Sequence, residues 1–259
     1  RLFCRFLGAC LLTMDINLPV FSWRTAVPLG GLVALLAWET AQPYFPLFSR
    51  TGQRARHGAL NLALGTLNAA VVALAFAAAW LAVTQWSGVH RFGLLNAFGF
   101  GPWQRVALAI FVLDAWTYGW HWLNHRVPFF WRFHRWHHAD SAMDVTTASR
   151  FHTGEIVLSS VFRVPVLALI GCNLGELALY ELLLFAVVQF HHANIVLPDR
   201  LDRVLRLVIV TPALHKVHHS IVRAESDANY SSLFSWWDRV FRTLCLVREP
   251  RKIIFGVQD

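Results

Sequence analysis

The distribution of hydrophobic positions divides the first half of the chain into three long apolar stretches. Residues 27–47 predict a first membrane span, with Glu39 and Pro43 near its end. Residues 59–83 are rich in Ala and Leu and exceed the roughly 20 residues that one membrane crossing needs, so they predict the clearest transmembrane helix. Residues 103–124 predict a third helix that is apolar at its start and polar at its end.

Polar and mixed segments separate and follow these stretches. Residues 50–57 predict a basic loop, and the glycine-bearing residues 85–102 predict an exterior loop. Residues 156–171 and 176–190 are two shorter apolar stretches split by a short segment with glycine at each end. They predict a helical hairpin that returns the chain to the side from which it entered the membrane.

The C-terminal part has a different pattern. Residues 200–210 are amphipathic, and residues 230–247 are rich in aromatic side chains. Aromatic side chains are enriched where a protein meets the membrane surface. We therefore expect residues 230–247 to lie at the lipid surface.

Composition supports a membrane protein and argues against a nucleic-acid partner. The chain is 56% hydrophobic and 15% charged, whereas soluble domains carry roughly 25% charged residues. The net charge of +8 comes with only two lysines, Lys216 and Lys252, and the arginines form no continuous basic stripe. The four cysteines form no C-x-x-C pair, which argues against a disulfide framework or a zinc ribbon.

The arginines also predict an orientation. Positive residues accumulate on the cytoplasmic side of membrane proteins, and the clustered histidines fall on the same predicted side as eight arginines. We expect an integral protein, in a bacterial inner membrane, whose histidines face the cytoplasm. The eight arginines are Arg50, Arg54, Arg56, Arg126, Arg132, Arg135, Arg150 and Arg223.

Histidines carry the strongest chemical signal in the sequence. The motif His-x-x-His-His occurs twice, and one His-x-x-x-His precedes the first copy. Imidazole is the commonest protein ligand for transition metals, so the pattern predicts a metal site for two ions. His192, after a predicted helix end, is expected to be a ninth ligand. The eight patterned histidines are His121, His125, His134, His137, His138, His215, His218 and His219.

Other polar residues near these motifs leave alternatives open. Asp114, Tyr118, His121 and His125 fall on one helical face, where Asp114 is expected to accept the second N–H of an imidazole. The two histidines of this face, taken alone, could also simply cap a membrane span. His152 could be a ligand, a hydrogen-bonding orienter or a structural residue.

Three further groups complete these expectations. His191 is expected to support the ligands from a second layer, and His57 and His90 to be ordinary surface or interface residues. Six aromatic residues either wall a channel for an apolar substrate or anchor the protein at the membrane interface. They are Trp120, Phe129, Phe130, Trp131, Phe133 and Trp136.

The type of ligand alone does not choose the metal, because imidazole suits iron, copper, zinc and nickel. Structural zinc sites need about four ligands and generally include cysteine, whereas this set is larger and free of cysteine. Two ions held by many imidazoles at the mouth of a membrane bundle suit O₂ activation by a di-iron pair.

Several motifs lie within about residues 105–245. They are Asp114-x-x-x-Tyr118-x-x-His121-x-x-x-His125, Trp131-x-Phe133-His134-x-x-His137-His138, Arg150-x-His152-x-x-Glu155, Gln189-x-x-His192-Ala-Asn194, Thr211-Pro212-x-x-His215-x-Val-His218-His219, Asn229-Tyr230 and Trp237-Asp238-Arg239-x-Phe241. Together they resemble the fatty acid hydroxylase/sterol desaturase superfamily. Three positions depart from the family pattern, because Thr153, Ser231 and Arg242 replace a proline and two glycines. These departures leave the ligand set intact and affect local turns.

The resemblance implies an integral membrane, non-haem di-iron oxidoreductase. Such an enzyme uses O₂ as co-substrate, and electrons from a separate electron-donor protein, to hydroxylate or desaturate a sterol, fatty acyl or related lipid. It implies the eight patterned histidines as iron ligands, together with His192. Glu155 and Asn194 are expected either to support the ligands or to join them.

We therefore expect an all-α integral membrane bundle of about four spans or hairpins, capped by a cytosolic histidine-rich helical metal site. Within the N-terminal segment, Met14 is a candidate start. The alternative function is a membrane metal-binding or transport protein; a zinc hydrolase is disfavoured because no His-Glu-x-x-His is present. The expected divisions are an N-terminal segment 1–24, transmembrane helices 25–102, a di-iron domain 103–247 and a tail 248–259.

Overall fold

The computed structural model of the protein describes residues 18–247 and 249–258. Within these residues every regular element is helical, and the only β-type pairings are two isolated bridges. The prediction of an all-α fold is therefore confirmed, while the candidate start Met14 lies outside the described residues. The helices are α1 Leu18–Ala41, α2 Thr51–Ala75, α3 Ala77–Val89, α4 Leu94–Ala97, α5 Pro102–Arg126, α6 Pro128–His138, α7 Thr153–Ile170, α8 Leu174–His192, α9 Asp199–Leu205, α10 Pro212–His218, α11 Arg223–Ser226 and α12 Trp236–Val240, with 3-10 turns at Val145–Ser149 and Pro250–Lys252.

Three described helices are long and apolar enough to cross a membrane. They are Gly52–Ala75 within α2, all of α7 and all of α8, and α1 contains a shorter apolar helix, Thr25–Ala41. Helix α5 packs against both α7 and α8. Their shared core includes Leu113 of α5, Leu167 of α7 and Leu177 of α8. These helices form the membrane bundle that the hydrophobic pattern predicts.

Helix directions bring the histidines to one end of this bundle. Near their starts, Arg105 of α5 and Glu176 of α8 form an ion pair at 3.1 Å, and farther along Tyr180 donates a hydrogen bond to Asp114. The two helices therefore run parallel, and the histidines at their C-terminal ends meet. Helices α6 and α10 lie at the same end because the chain leaves α5 and α8 there.

The first helix differs from the predicted span over residues 27–47. Helix α1 already includes Leu18 and ends at Ala41. Pro43 explains the early end, because a proline disfavours the helical conformation of the residue before it. The segment from Gln42 to Arg50 is non-helical and leads into α2.

The predicted basic loop over residues 50–57 is wrong, because α2 begins at Thr51. Two polar side chains in its first turns have partners across the bundle. The guanidinium of Arg54 binds the Glu39 carboxylate at 2.8 Å, and His57 Nε2 lies 2.9 Å from an Asp140 carboxylate oxygen. These partners let a basic sequence be helical, and arginine itself is a good helix former.

The apolar stretch over 59–83 is not one uninterrupted helix. Helix α2 ends at Ala75 and α3 follows from Ala77, with Phe76 between them at φ −122°. Backbone hydrogen bonds from the Phe76 N–H to the Val72 carbonyl and from the Trp80 N–H to the Phe76 carbonyl connect the two helices across this break. The exterior loop consequently begins at His90 rather than at residue 85.

Two glycines close the bundle at the end opposite the histidines. Gly93 has φ +96° and Gly171 has φ +71°, and a Cβ on Gly93 would lie only 2.6 Å from the Gly171 nitrogen. We expect Gly93→Ala to lower the free energy of unfolding by about 1–3 kcal/mol, because the new methyl group is strained at this φ and collides with backbone. Thermal unfolding in detergent measures this. Gly99→Ala, with nothing within 4 Å of its Cβ, is the matched control, and equal stability of the two variants would contradict the account.

Candidate metal centre

Nine histidines converge into two groups at one end of the bundle. Within each group, one ligand atom per residue lies within 4.8 Å of the others, and all nine side chains are buried. These nine are the residues that the sequence predicts as ligands. The five-histidine group is His121, His125, His134, His138 and His218, and the four-histidine group is His137, His192, His215 and His219.

Helix geometry explains how each His-x-x-His-His motif serves both groups. Neighbouring residues on a helix point about 100° apart, whereas residues at i and i+4 share a face. His134 and His138 therefore enter the five-histidine group together, while His137 points into the other group. The second motif has the opposite assignment. His215 and His219 belong to the four-histidine group, and His218 belongs to the five-histidine group.

Several ring pairs join the two groups, and the pair with the shortest centroid distance is stacked. The imidazole planes of His138 and His219 are 11° apart, with ring centroids at 4.4 Å. His138 belongs to the five-histidine group and His219 to the other. The two groups are thus halves of one site.

Backbone carbonyls fix the proton position on four of the rings. Nδ1 lies within hydrogen-bonding distance of a carbonyl oxygen in His121, His218, His137 and His192. A carbonyl only accepts hydrogen bonds, so Nδ1 carries the proton and Nε2 presents a lone pair. The distances are 2.7 Å to Tyr230, 2.7 Å to Ala228, 3.1 Å to Arg150 and 2.8 Å to Val188, respectively.

In this tautomer each Nε2 atom has a lone pair, and these Nε2 atoms face each other in two pairs. Nε2 of His121 lies 3.0 Å from Nε2 of His218 in the five-histidine group. Nε2 of His137 lies 3.1 Å from Nε2 of His192 in the four-histidine group. Two lone pairs at such a distance repel unless a cation lies between or beside them, and each group contains one such pair. The donor set therefore fits one metal ion per group.

Two further ring nitrogens in the five-histidine group also indicate a bound ion. Among the described residues, Nε2 of His125 and Nε2 of His134 are buried without a hydrogen-bond partner. Leaving a buried polar atom without a partner costs about 1–3 kcal/mol. A bound ion would satisfy both atoms.

Burial also keeps these imidazoles in the form that binds metals. Loss of water around the rings lowers the pKa well below its usual value, and the neighbouring imidazoles lower the pKa further. Neutral imidazole is the form that ligates metals. This holds for His137, His138, His215, His218 and His219.

Carboxylates hold the outer nitrogens of two more rings. Nδ1 of His134 donates to Glu155 Oε1 at 2.9 Å, and the same oxygen accepts a hydrogen bond from Asn124 at 3.2 Å. Nδ1 of His125 lies 3.4 Å from the Asp227 carboxylate. A carboxylate on the outer nitrogen orients a ligand ring and raises its basicity.

We expect Glu155→Gln to weaken metal binding to the five-histidine group by about 10- to 100-fold. A neutral amide holds the Nδ1 proton of His134 less strongly than the carboxylate does, so the ring becomes a weaker ligand. A chelator competition titration measures the change. The control is Glu249→Gln, whose exposed carboxylate pairs with Lys252 and contacts no histidine of either group; equal metal affinities in the two variants would contradict the assigned role of Glu155.

The expected role of Asp114 is wrong. Its carboxylate accepts hydrogen bonds from the Phe234 backbone, the Trp237 indole and the Tyr180 hydroxyl, and from no imidazole. Asp114 does share a helical face with His121, but their separation of seven positions corresponds to about 10 Å along the helix. It therefore anchors the C-terminal segment to α5.

Three other predicted residues lie around the groups rather than in them. His152 caps the start of α7, where its Nδ1 accepts a hydrogen bond from Gly154. His191 is buried with its ring 3.8 Å from that of His215 but belongs to neither group. Asn194 makes hydrogen bonds to the backbone of Phe45 and so fixes the turn after α8.

The six aromatic residues differ in their exposure and in their contacts with the histidines. Trp131 packs against His125 and His138, with ring centroids at 5.0 and 5.5 Å. Trp120 is buried and packs against Phe130. Phe129 and Trp136 are exposed, as an interfacial anchor would be. Phe133 packs against the His152 ring at 5.2 Å, outside both groups.

The sequence did not reveal the role of two buried ionisable side chains that hold the turn after α8. Glu39 accepts hydrogen bonds from the backbone of Asn194 at 2.8 Å and of Val145 at 3.1 Å. Lys216 is 1% exposed and donates to the Ala193 carbonyl at 2.6 Å. A charged residue inside an apolar helix, and a lysine between two ligands, were the available signals.

His57 was also misjudged as an ordinary surface or interface histidine. Its ring is only 15% exposed and lies 2.9 Å from Asp140 and 3.5 Å from Asp144. Asp140 follows the first His-x-x-His-His motif, so this network supports the end of α6. His90 is exposed at the end of α3, as expected.

The chain is similar to a known family and to several known proteins. The fatty acid hydroxylase family model matches residues 106–243. Human alkylglycerol monooxygenase is 28% identical over 65% of this chain and 36% of its own length. The ornithine lipid hydroxylase of Rhizobium tropici is 28% identical over 59% of this chain and 45% of its own, and cholesterol 25-hydroxylase of Rattus norvegicus is 22% identical over 60% and 52%.

The chain thus spans about a third to a half of the length of these relatives. No solved structure matches it significantly. The family match covers more than half of the sequence and includes all nine clustered histidines. With its three candidate spans, this chain is an integral membrane protein that belongs to the fatty acid hydroxylase family.

Proposed function

We propose that this chain is a membrane-bound non-haem di-iron oxidoreductase that uses O₂ to hydroxylate or desaturate a lipid-like substrate. The observation that carries the proposal is the pair of facing Nε2 atoms in each histidine group. Two ions, one in each group, relieve both repulsions. Residues 103–247 would form the di-iron domain, after transmembrane helices within residues 25–102 and before a tail at 248–259.

Nitrogen ligands without cysteine, in a family of lipid oxygenases, favour iron over zinc. Iron bound by the nine histidines would supply O₂ activation, which the side chains of the protein cannot perform themselves. The role of the protein is to hold the rings in place. Carbonyl and carboxylate acceptors on Nδ1 keep six imidazoles oriented.

Aromatic side chains keep water away from the site. The Phe151 ring stacks on His137 with centroids at 4.3 Å and planes 10° apart. Trp131 covers His125 and His138. An apolar lining suits a lipid chain, and excluding water limits side reactions of a strong oxidant.

The substrate class rests on the relatives. By their names, the relatives given above are hydroxylases or monooxygenases, and each name includes a lipid. This favours insertion of oxygen into a sterol, fatty acyl or related lipid over desaturation. Hydroxylation consumes two electrons besides those of the C–H bond, and we propose that a separate electron-donor protein delivers them.

The arginine distribution supports an orientation with the histidines toward the cytoplasm, in a bacterial inner membrane. Arg126, Arg132, Arg135 and Arg150 belong to the segments that surround the histidine end of the bundle. Positive charge accumulates on the cytoplasmic side. A metal carrier would instead need ligands near the bilayer midplane, reachable from both sides, whereas these nine histidines lie at helix ends.

The test is turnover with isotopically labelled O₂. Iron-loaded protein in nanodiscs of bacterial lipid, supplied with a chemical reductant, is expected to transfer labelled oxygen to lipid, as mass spectrometry detects. His137→Ala should abolish transfer and lower iron content together, whereas His90→Ala at an exposed site should change neither. Unlabelled lipid with the full iron content, or labile zinc in place of iron, would contradict the proposal.

A further inference from the structure

The segment that follows α8 exposes a set of apolar side chains. They come from α9 and the residues after it, and from α12 and the residue after it. We call them the C-terminal apolar surface. Its members are Leu201, Val204, Leu207, Trp236, Val240 and Phe241, all of them exposed.

Hydrogen bonds join the two halves of this surface into one layer. The indole of Trp236 donates to the Leu207 carbonyl at 2.8 Å. The Ser235 hydroxyl and the Arg239 guanidinium both donate to the Arg206 carbonyl, each at 2.7 Å. The two short helices therefore hold their exposed side chains in a fixed relation.

This layer contacts helix α5 of the membrane bundle at a point nearer the start of α5 than the histidines are. Asp114 of α5 accepts hydrogen bonds from the Phe234 backbone at 3.0 Å and the Trp237 indole at 2.8 Å. Asp114 lies seven residues before His121, about 10 Å along the helix axis toward the opposite end of α5. Since α5 packs against two candidate membrane spans, the exposed side chains near Asp114 lie beside the membrane bundle.

Arginines accompany the apolar side chains in the pattern of an interfacial helix. Arg200, Arg203 and Arg242 are exposed and alternate in sequence with members of the surface. Long cationic side chains next to apolar ones place their charge among lipid phosphates while their stems stay in the apolar layer. The composition thus matches a leaflet with anionic headgroups.

We propose that the C-terminal apolar surface is embedded in the phospholipid leaflet on the histidine side of the membrane. The two short helices α9 and α12 are then bound to the membrane surface rather than surrounded by water. The arginines contact lipid phosphates. This attachment holds the segment that carries Tyr230, whose carbonyl fixes His121, at a constant depth.

The test measures the surroundings of single labels on the full chain in nanodiscs of phosphatidylcholine and phosphatidylglycerol. Val204→Cys and Val240→Cys each carry an environment-sensitive fluorophore, with the other cysteines replaced except buried Cys172. Leu74→Cys in the candidate span α2 is the lipid control. Ile254→Cys is the water control, since it is exposed and its carbonyl binds Ile221 just beyond the second histidine motif.

Labels at Val204 and Val240 are expected to be quenched by nitroxide lipids, as at Leu74, and to be shielded from aqueous iodide. The label at Ile254 should behave in the opposite way. Iodide quenching of the first two labels equal to that at Ile254 would overturn the proposal. Shielding from both quenchers would also overturn it, because a protein partner or a second copy would then cover the surface.

Discussion

Replacing His192 with alanine is expected to remove the ion of the four-histidine group and to abolish turnover. His192 Nε2 lies 3.1 Å from Nε2 of His137 and 3.1 Å from Nε2 of His215, so its ring is central to that group. Only three imidazoles remain without it, and the repulsion that favours a cation disappears. Metal content should fall from about two ions to about one per chain, since the five-histidine group keeps all its ligands.

His191→Ala is the matched control for this change. His191 is the preceding residue, equally buried, and its ring lies 3.8 Å from that of His215, yet it belongs to neither group. We expect this variant to retain both ions. The remaining ion in the His192 variant also reports that the chain is folded. Equal metal content and turnover in the two variants would refute the assignment of His192.

Glu39→Gln is expected to be the most damaging change outside the ligands. The Glu39 carboxylate accepts two backbone N–H groups, of Asn194 and Val145, and binds Arg54. Both oxygens of the Glu39 carboxylate face donors. The amide of the glutamine has only one oxygen, so its NH₂ group would face a donor in place of an acceptor. Asn194 lies two residues after His192, and the four-histidine group should therefore bind its ion less tightly.

The same substitution also removes a negative charge that acts on the buried Lys216. Burial lowers the pKa of Lys216 to about 7, and the charge of Glu39 opposes this lowering. Leaving a buried donor without its acceptor costs about 1–3 kcal/mol. Thermal unfolding and iron content in detergent measure both consequences.

Glu181→Gln serves as the control for Glu39→Gln. Glu181 binds Arg163, but its side chain is 40% exposed. We expect a loss of stability below about 1 kcal/mol and an unchanged iron content. Should Glu39→Gln behave in the same way, the buried carboxylate would have no part in holding the site.

The nine histidines could be selected from the sequence because their signal is local. The spacing of His-x-x-His-His and His-x-x-x-His places rings on defined helical faces, whatever the rest of the chain does. The division into two groups needs the three-dimensional structure, since it depends on how α6 and α10 approach each other. The structure brings together every residue predicted as a ligand.

Partners distant in sequence were beyond the reach of the pattern. Spacing placed Asp114 on the histidine face correctly, but it could not predict the donors to its carboxylate, which come from residues 180, 234 and 237. Glu39 likewise binds groups more than a hundred residues away. The sequence does not reveal the break at Phe76 either, because the residues before and after it are similarly apolar.

Anomalous scattering at the iron absorption edge, measured on crystals of the iron-loaded full chain, tests the central claim most directly. We predict two iron peaks, one within the five-histidine group and one within the four-histidine group. A single peak, a peak away from both groups, or the absence of any iron signal from iron-loaded protein would contradict it.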